Sequence, residues 1–129
     1  MRYLGVDYGS KRVGIALSDN NGTMGFPHSI LINTPRLVDD VCALIARENI
    51  GAVVIGESRD LPGGENSIAK DARIFGEKLA ECADVPVQYE SEVFTSAEAR
   101  RSAPPHAKVD ASAAALILTS YLSHTKADA

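Results

Sequence analysis

The sequence predicts an α/β fold: a five-stranded mixed sheet with helices on both faces. Three observations lead there. The first third alternates between apolar and polar residues and is broken by turn residues, as consecutive hairpins are. Two short apolar runs, at 52–56 and 85–89, each follow a helix pattern, as in parallel crossover units. The closing stretch, 110–123, is an apolar, alanine-rich helix that can approach a sheet closely.

Taken in order, residues 2–8 form a strand with Tyr3, Gly5 and Asp7 on one face and Leu4, Val6 and Tyr8 on the other. Residues 8–11 are a turn and 12–18 the returning strand. Asp19-Asn20-Asn21-Gly22 is a second turn. A third strand, 23–33, contains Pro27, which marks an edge or an irregularity. Thr34 caps a helix with Pro35 at its first position, and Leu37, Val38, Val41, Leu44 and Ile45 form its apolar face. The loop "ESRDLPGGEN" leads to a helix at 66–82 with Ile68, Ala72, Phe75 and Leu79 inward. Residues 93–100 suggest a brief helical piece, and Pro104 and Pro105 interrupt the chain before the last helix. One domain spans 1–129, with 124–129 as a frayed tail.

Composition narrows the function. The formal net charge is -4, which opposes general attraction to nucleic acid. A polyanion would have to be met locally, near Arg100, Arg101 and Lys108, with His106 beside them. No apolar run approaches a membrane span, and no signal-peptide pattern opens the chain, so a cytoplasmic protein is expected. Cys42 and Cys82 read as small buried thiols without metal-ligand spacing, and no disulfide is expected in a reducing compartment. Gly63-Gly64 lacks the lysine and threonine of a phosphate loop.

The carboxylates carry the chemistry. A carboxylate deep in a sheet is costly, but Asp7 at a strand end can stay ionised at the rim. Parallel strands bring their C-terminal ends together, so Asp7, Glu57 and the Glu90–Glu92 region converge on one rim, and the last helix can bring Asp110 across. Asp110 is equally explained as a helix cap. Converging carboxylates repel, and a divalent cation relieves that repulsion. Oxygen-only ligands favour Mg²⁺ or Mn²⁺.

The segments "GVDYGSKRVGIALSD", "VVIG", "TSAEAR" and "KVDASAAALILTSYL" resemble the YqgF family, over almost the whole chain. The resemblance implies an RNase H-like three-layer fold similar to Holliday-junction resolvases. It implies a metal-dependent nuclease processing precursor 16S rRNA or acting on branched DNA, with the ribosomal small subunit as a candidate partner. It assigns Asp7, Glu92 and Asp110 as metal ligands and puts Lys11 and Arg12 on the family's basic turn, where phosphate contact and a solvated turn charge are both open; Arg59, Arg100 and Lys108 are further candidates for phosphate contact. Three features depart from the family. Asp-Glu-Arg is replaced by Ser91-Glu92-Val93. Glu57 stands after "VIG", where it could add or replace a ligand. The 100–108 stretch is short and holds two prolines.

Two alternatives stay open. One is a nucleic-acid-binding or ribosome-associated protein of the same fold with little catalysis. The other is half of an actin-like or sugar-kinase ATPase, which would need a second domain. A monomer and a homodimer are both compatible with the sequence.

Overall fold

The computed structural model describes residues 1–57, 67–91 and 109–127. Its elements are β1 (Arg2–Tyr8), β2 (Arg12–Ser18), β3 (Gly25–Ile32), α1 (Leu37–Arg47), β4 (Ile50–Glu57), α2 (Ser67–Ala83), β5 (Val87–Ser91) and α3 (Val109–Ala127). They build one five-stranded sheet in the order β3-β2-β1-β4-β5. The hairpin partners β1–β2 and β2–β3 are antiparallel. The crossover partners β1–β4 and β4–β5 are parallel.

Strand alternation divides the core in two. Leu4, Val6, Val13, Ile15, Val53 and Ile55 point to one face, where they meet Leu37, Val41, Leu44 and Ile45 of α1 and Ala72, Phe75 and Leu79 of α2. Ala16 and Val54 point to the other, under Ala114, Ala115, Ile117, Leu118 and Leu122 of α3. This explains why β1, β2 and β4 are apolar on both faces. The α3 face is tight. A Cβ on Gly5 would lie 2.9 Å from Leu118 Cβ and 3.0 Å from the Ala114 carbonyl oxygen.

The sequence and the structure differ at several ends. Helix α1 starts at Leu37, not at Pro35. The Thr34 hydroxyl accepts the Arg36 N–H at 3.2 Å and its carbonyl accepts the Leu37 N–H at 3.0 Å, closing a turn that leaves Arg36 at the N-cap. Strand β5 begins at Val87. Pro86 has no N–H to pair, although its carbonyl accepts the Val53 N–H at 2.9 Å. The last helix runs to Ala127, past the end expected near Ser123. No glycine or proline stops it there. Left-handed Asn49 (φ 55) and Asp84 (φ 56) terminate α1 and α2. Pro27 lies on edge strand β3, at a register shift opposite Ile15 and Ala16, as its ring requires. The helical piece expected at 93–100 and the two prolines after it lie outside the described residues.

Candidate active site at the sheet rim

Asp7 is the next-to-last residue of β1, half-buried, on the face that α3 covers. Its cross-strand partner on β2 is Gly14. On its other side, the parallel register that pairs Val6 with Ile55 brings Gly56 alongside. Both glycines are buried, so neither of the directly adjacent positions on β2 and β4 sets a side chain beside the carboxylate. The carboxylate is accommodated locally. It occupies the last covered position on the α3 face, flanked by glycines that leave it room.

Helix α3 runs back along β1. Tyr3 packs on Tyr121 with ring centroids 6.2 Å apart, and Gly5 abuts Leu118 and Ala114. Two strand residues advance about 7 Å, equal to roughly four to five helical residues. The next step from Gly5 to Asp7 therefore leads to the first turn of α3, where Asp110 is the second residue.

The other predicted residues divide clearly. Glu57 is the last residue of β4 and pairs with Ser91. Its position alternates with Val53 and Ile55, the α1–α2 face, whereas Gly56 holds the position beside Asp7. The same rim thus receives Glu57, but strand parity separates its position from that of Asp7. Glu90 sits opposite Gly56, and its carboxylate accepts the Ser120 hydroxyl at 3.1 Å, tying β5 to α3. Glu92, Arg59, Arg100, His106 and Lys108 lie outside the described residues. Lys11 and Arg12 are exposed at the β1–β2 turn.

Sequence reasoning missed one residue here. Asn33 braces the basic turn: its side-chain amide donates to the Gly9 carbonyl at 2.8 Å, and its backbone N–H donates to Lys11 at 2.9 Å. An asparagine two dozen residues away, after an edge strand, gives no local signal. Gly56 could have been found by counting strand parity from Asp7.

Among the described residues no group of three His, Cys, Asp or Glu side chains could hold a metal ion. The donor chemistry nonetheless suits a hard cation: a rim carboxylate in a space kept open by two glycines.

A mixed sheet of this order, with a helix over the acid at the end of β1, defines an RNase H-like α/β fold of the resolvase type. A solved structure, Thermus thermophilus RuvC in complex with a Holliday junction substrate, superposes with a TM-score of 0.66 at 17% identity, over 98% of this chain and 96% of that one. At that identity the likeness establishes the fold. The RuvX family model, described as Holliday junction resolvase, matches residues 1–124. The chain belongs to this family, also called YqgF. Two relatives share the name "Putative pre-16S rRNA nuclease". That of Anaeromyxobacter sp. (strain Fw109-5) is 33% identical, over 95% of this chain and 96% of its own. That of Nitratidesulfovibrio vulgaris (strain DP4) is 35% identical, over 95% and 93%.

Proposed function

We propose that this chain is a metal-dependent endonuclease that hydrolyses phosphodiester bonds in structured nucleic acid, with precursor 16S rRNA as its substrate. The observation that carries this reading is Asp7: a half-buried carboxylate at the C-terminal end of β1, between Gly14 and Gly56, on the sheet face that α3 covers. In this reading Asp7, Glu92 and Asp110 hold Mg²⁺ or Mn²⁺. Positions 88 and 90 of β5 share the face of Asp7, and 92 is the next in that series. Glu57 belongs to the other parity and is not assigned to the metal. Bound there, the cation would lower the pKa of a water and stabilise the leaving oxygen.

The protein's own groups do the rest. The three carboxylates fix the cation's position, and the glycine row leaves the phosphate a path to it. Lys11 and Arg12, braced by Asn33, would hold the nucleic-acid backbone, with Arg59, Arg100 and Lys108 as further phosphate contacts. The chain would work in the cytoplasm, where precursor rRNA is made. Branched DNA is the second candidate substrate. A binding protein without catalysis is the alternative, favoured by the loss of the acid and base that usually flank Glu92.

The test compares native protein with Asp7→Asn on labelled precursor rRNA and a four-way DNA junction, in Mg²⁺, in Mn²⁺ and in EDTA. Product from native protein alone, abolished by EDTA, is expected. Titration with Mn²⁺ followed by electron paramagnetic resonance should show binding weakened in Asp7→Asn. Equal cleavage by both proteins would overturn the assignment. No cleavage by either, with nucleic acid still bound, would establish the binding reading.

A further inference from the structure

The face opposite Asp7 carries a feature that nuclease chemistry does not use. Cys42 and Cys82, far apart in sequence, meet between α1 and α2. Cys42 is half-buried against the core, and Cys82 is exposed, so the pair is not the two buried thiols expected from sequence. The two side chains are near enough for each to act on the other.

Their meeting follows from helix geometry. The two helices pack side by side. Val38 of α1 and Lys78 of α2 line the same pocket of about 180 Å³. One turn further along each helix brings Val38 to Cys42 and Lys78 to Cys82. The thiols therefore close the interhelical groove one turn beyond that pocket.

The two sulfurs are not equivalent. Burial pushes the Cys42 thiol up to about 12, and its hydrogen bond to Cys82 and the nearby charges of Cys82 and Asp39 push the same way. Cys42 therefore stays protonated. Cys82 faces solvent, so an oxidant reaches it first.

We propose that Cys42 and Cys82 form a reversible disulfide between α1 and α2, driven by hydrogen peroxide. The Cys82 sulfur attacks the peroxide, the O–O bond breaks, the departing hydroxide takes the Cys82 proton and leaves as water, and Cys82 becomes a sulfenic acid. The Cys42 sulfur then attacks the Cys82 sulfur. The S–S bond forms, the S–O bond breaks, and the Cys42 proton leaves with the hydroxyl as water. Two thiols and one peroxide give one disulfide and two waters. In a reducing medium the pair rests as thiols, and the clamp closes only under oxidant.

The folded native chain would be treated with hydrogen peroxide, then denatured, alkylated and digested with trypsin without reduction. The expected product is peptide Leu37–Arg47 joined to Leu79–Arg100, two hydrogens lighter than the free pair, with both alkylation sites lost together. Dithiothreitol should restore both sites. In Cys42→Ser the same treatment should leave Cys82 as a sulfenic acid that dimedone labels. Cys82 overoxidised while Cys42 still alkylates in full would overturn the proposal. So would a disulfide formed only between two chains.

Discussion

Gly5→Ala tests the packing that positions α3 over β1. The added methyl would sit 2.9 Å from Leu118 Cβ and 3.0 Å from the Ala114 carbonyl oxygen. Ordinary carbon contacts lie near 3.5–4.0 Å, so about 0.5–1 Å must be found. Neither neighbour yields easily. One is helix backbone, and the other is a Cβ that no rotamer change moves. Overpacking of this kind costs about 1–3 kcal/mol, less the roughly 0.4–1 kcal/mol gained by stiffening the unfolded chain. For a domain of this size each kcal/mol is roughly 3–5 °C in Tm, giving a fall of up to about 10 °C. Gly51→Ala is the control. Its methyl would crowd the side chain of Met1, which is exposed and can move, and would lie 3.7 Å from the Arg2 carbonyl oxygen, an ordinary contact, so its Tm should hold or rise slightly. Thermal unfolding followed by circular dichroism reads both. Because α3 carries Asp110, a retreat of this size should also lower cleavage on the order of 10²-fold at a temperature where Gly5→Ala is folded. An unchanged or raised Tm for Gly5→Ala would refute the claim that this face has no room for a methyl.

Two further outcomes follow from single hydrogen bonds. Asn33→Ala removes the amide that holds the Gly9 carbonyl, worth about 1 kcal/mol, so affinity for a labelled four-way junction should fall on the order of fivefold by fluorescence anisotropy. Unaltered affinity with a visibly rearranged turn would separate Lys11 and Arg12 from binding. Asp19 is lowered from 3.8 to about 2, chiefly by the Thr23 hydroxyl and then by the Thr23 N–H at 2.6 Å. Because the folded value lies below the unfolded one, its contribution is whole above 3.8 and is lost as pH falls through about 2. The amide shifts of Thr23 and Met24 should report a midpoint near 2; a midpoint near 3.8 would count against the hydrogen bonds.

Much of this architecture was legible in local pattern. The three N-terminal strands follow from alternation and turn chemistry, because a register slip would put Leu4 and Val6 on the wrong face. Pro27 announced an edge, and edge is where it lies. Helix starts were less legible. Thr34 was a plausible cap, but its hydroxyl and carbonyl are both used inside a tighter turn, and propensity alone does not distinguish the two. The thiol pair was illegible for a different reason. Its two members are brought together only by the packing of two helices, which no spacing in the chain records.

The same distinction separates the two candidate acids on the crossover strands. Composition treats Glu57 and Glu92 alike: each comes at or after the end of an apolar strand pattern. Register does not. The pairings Val54–Gln88 and Gly56–Glu90 put those four positions on the face of Asp7, and Glu57 falls one residue out of phase. A one-residue shift in a strand reverses the face, so the position of Glu57 falls on the face opposite that of Asp7. Correcting the phase would need a bulge in β4. Its one register irregularity against β1 falls between Arg2 and Tyr3, at the opposite end of the strand. Glu57→Gln should therefore leave metal binding intact while Asp7→Asn weakens it. Equal weakening by both, read by Mn²⁺ titration, would show that β4 rearranges when metal binds.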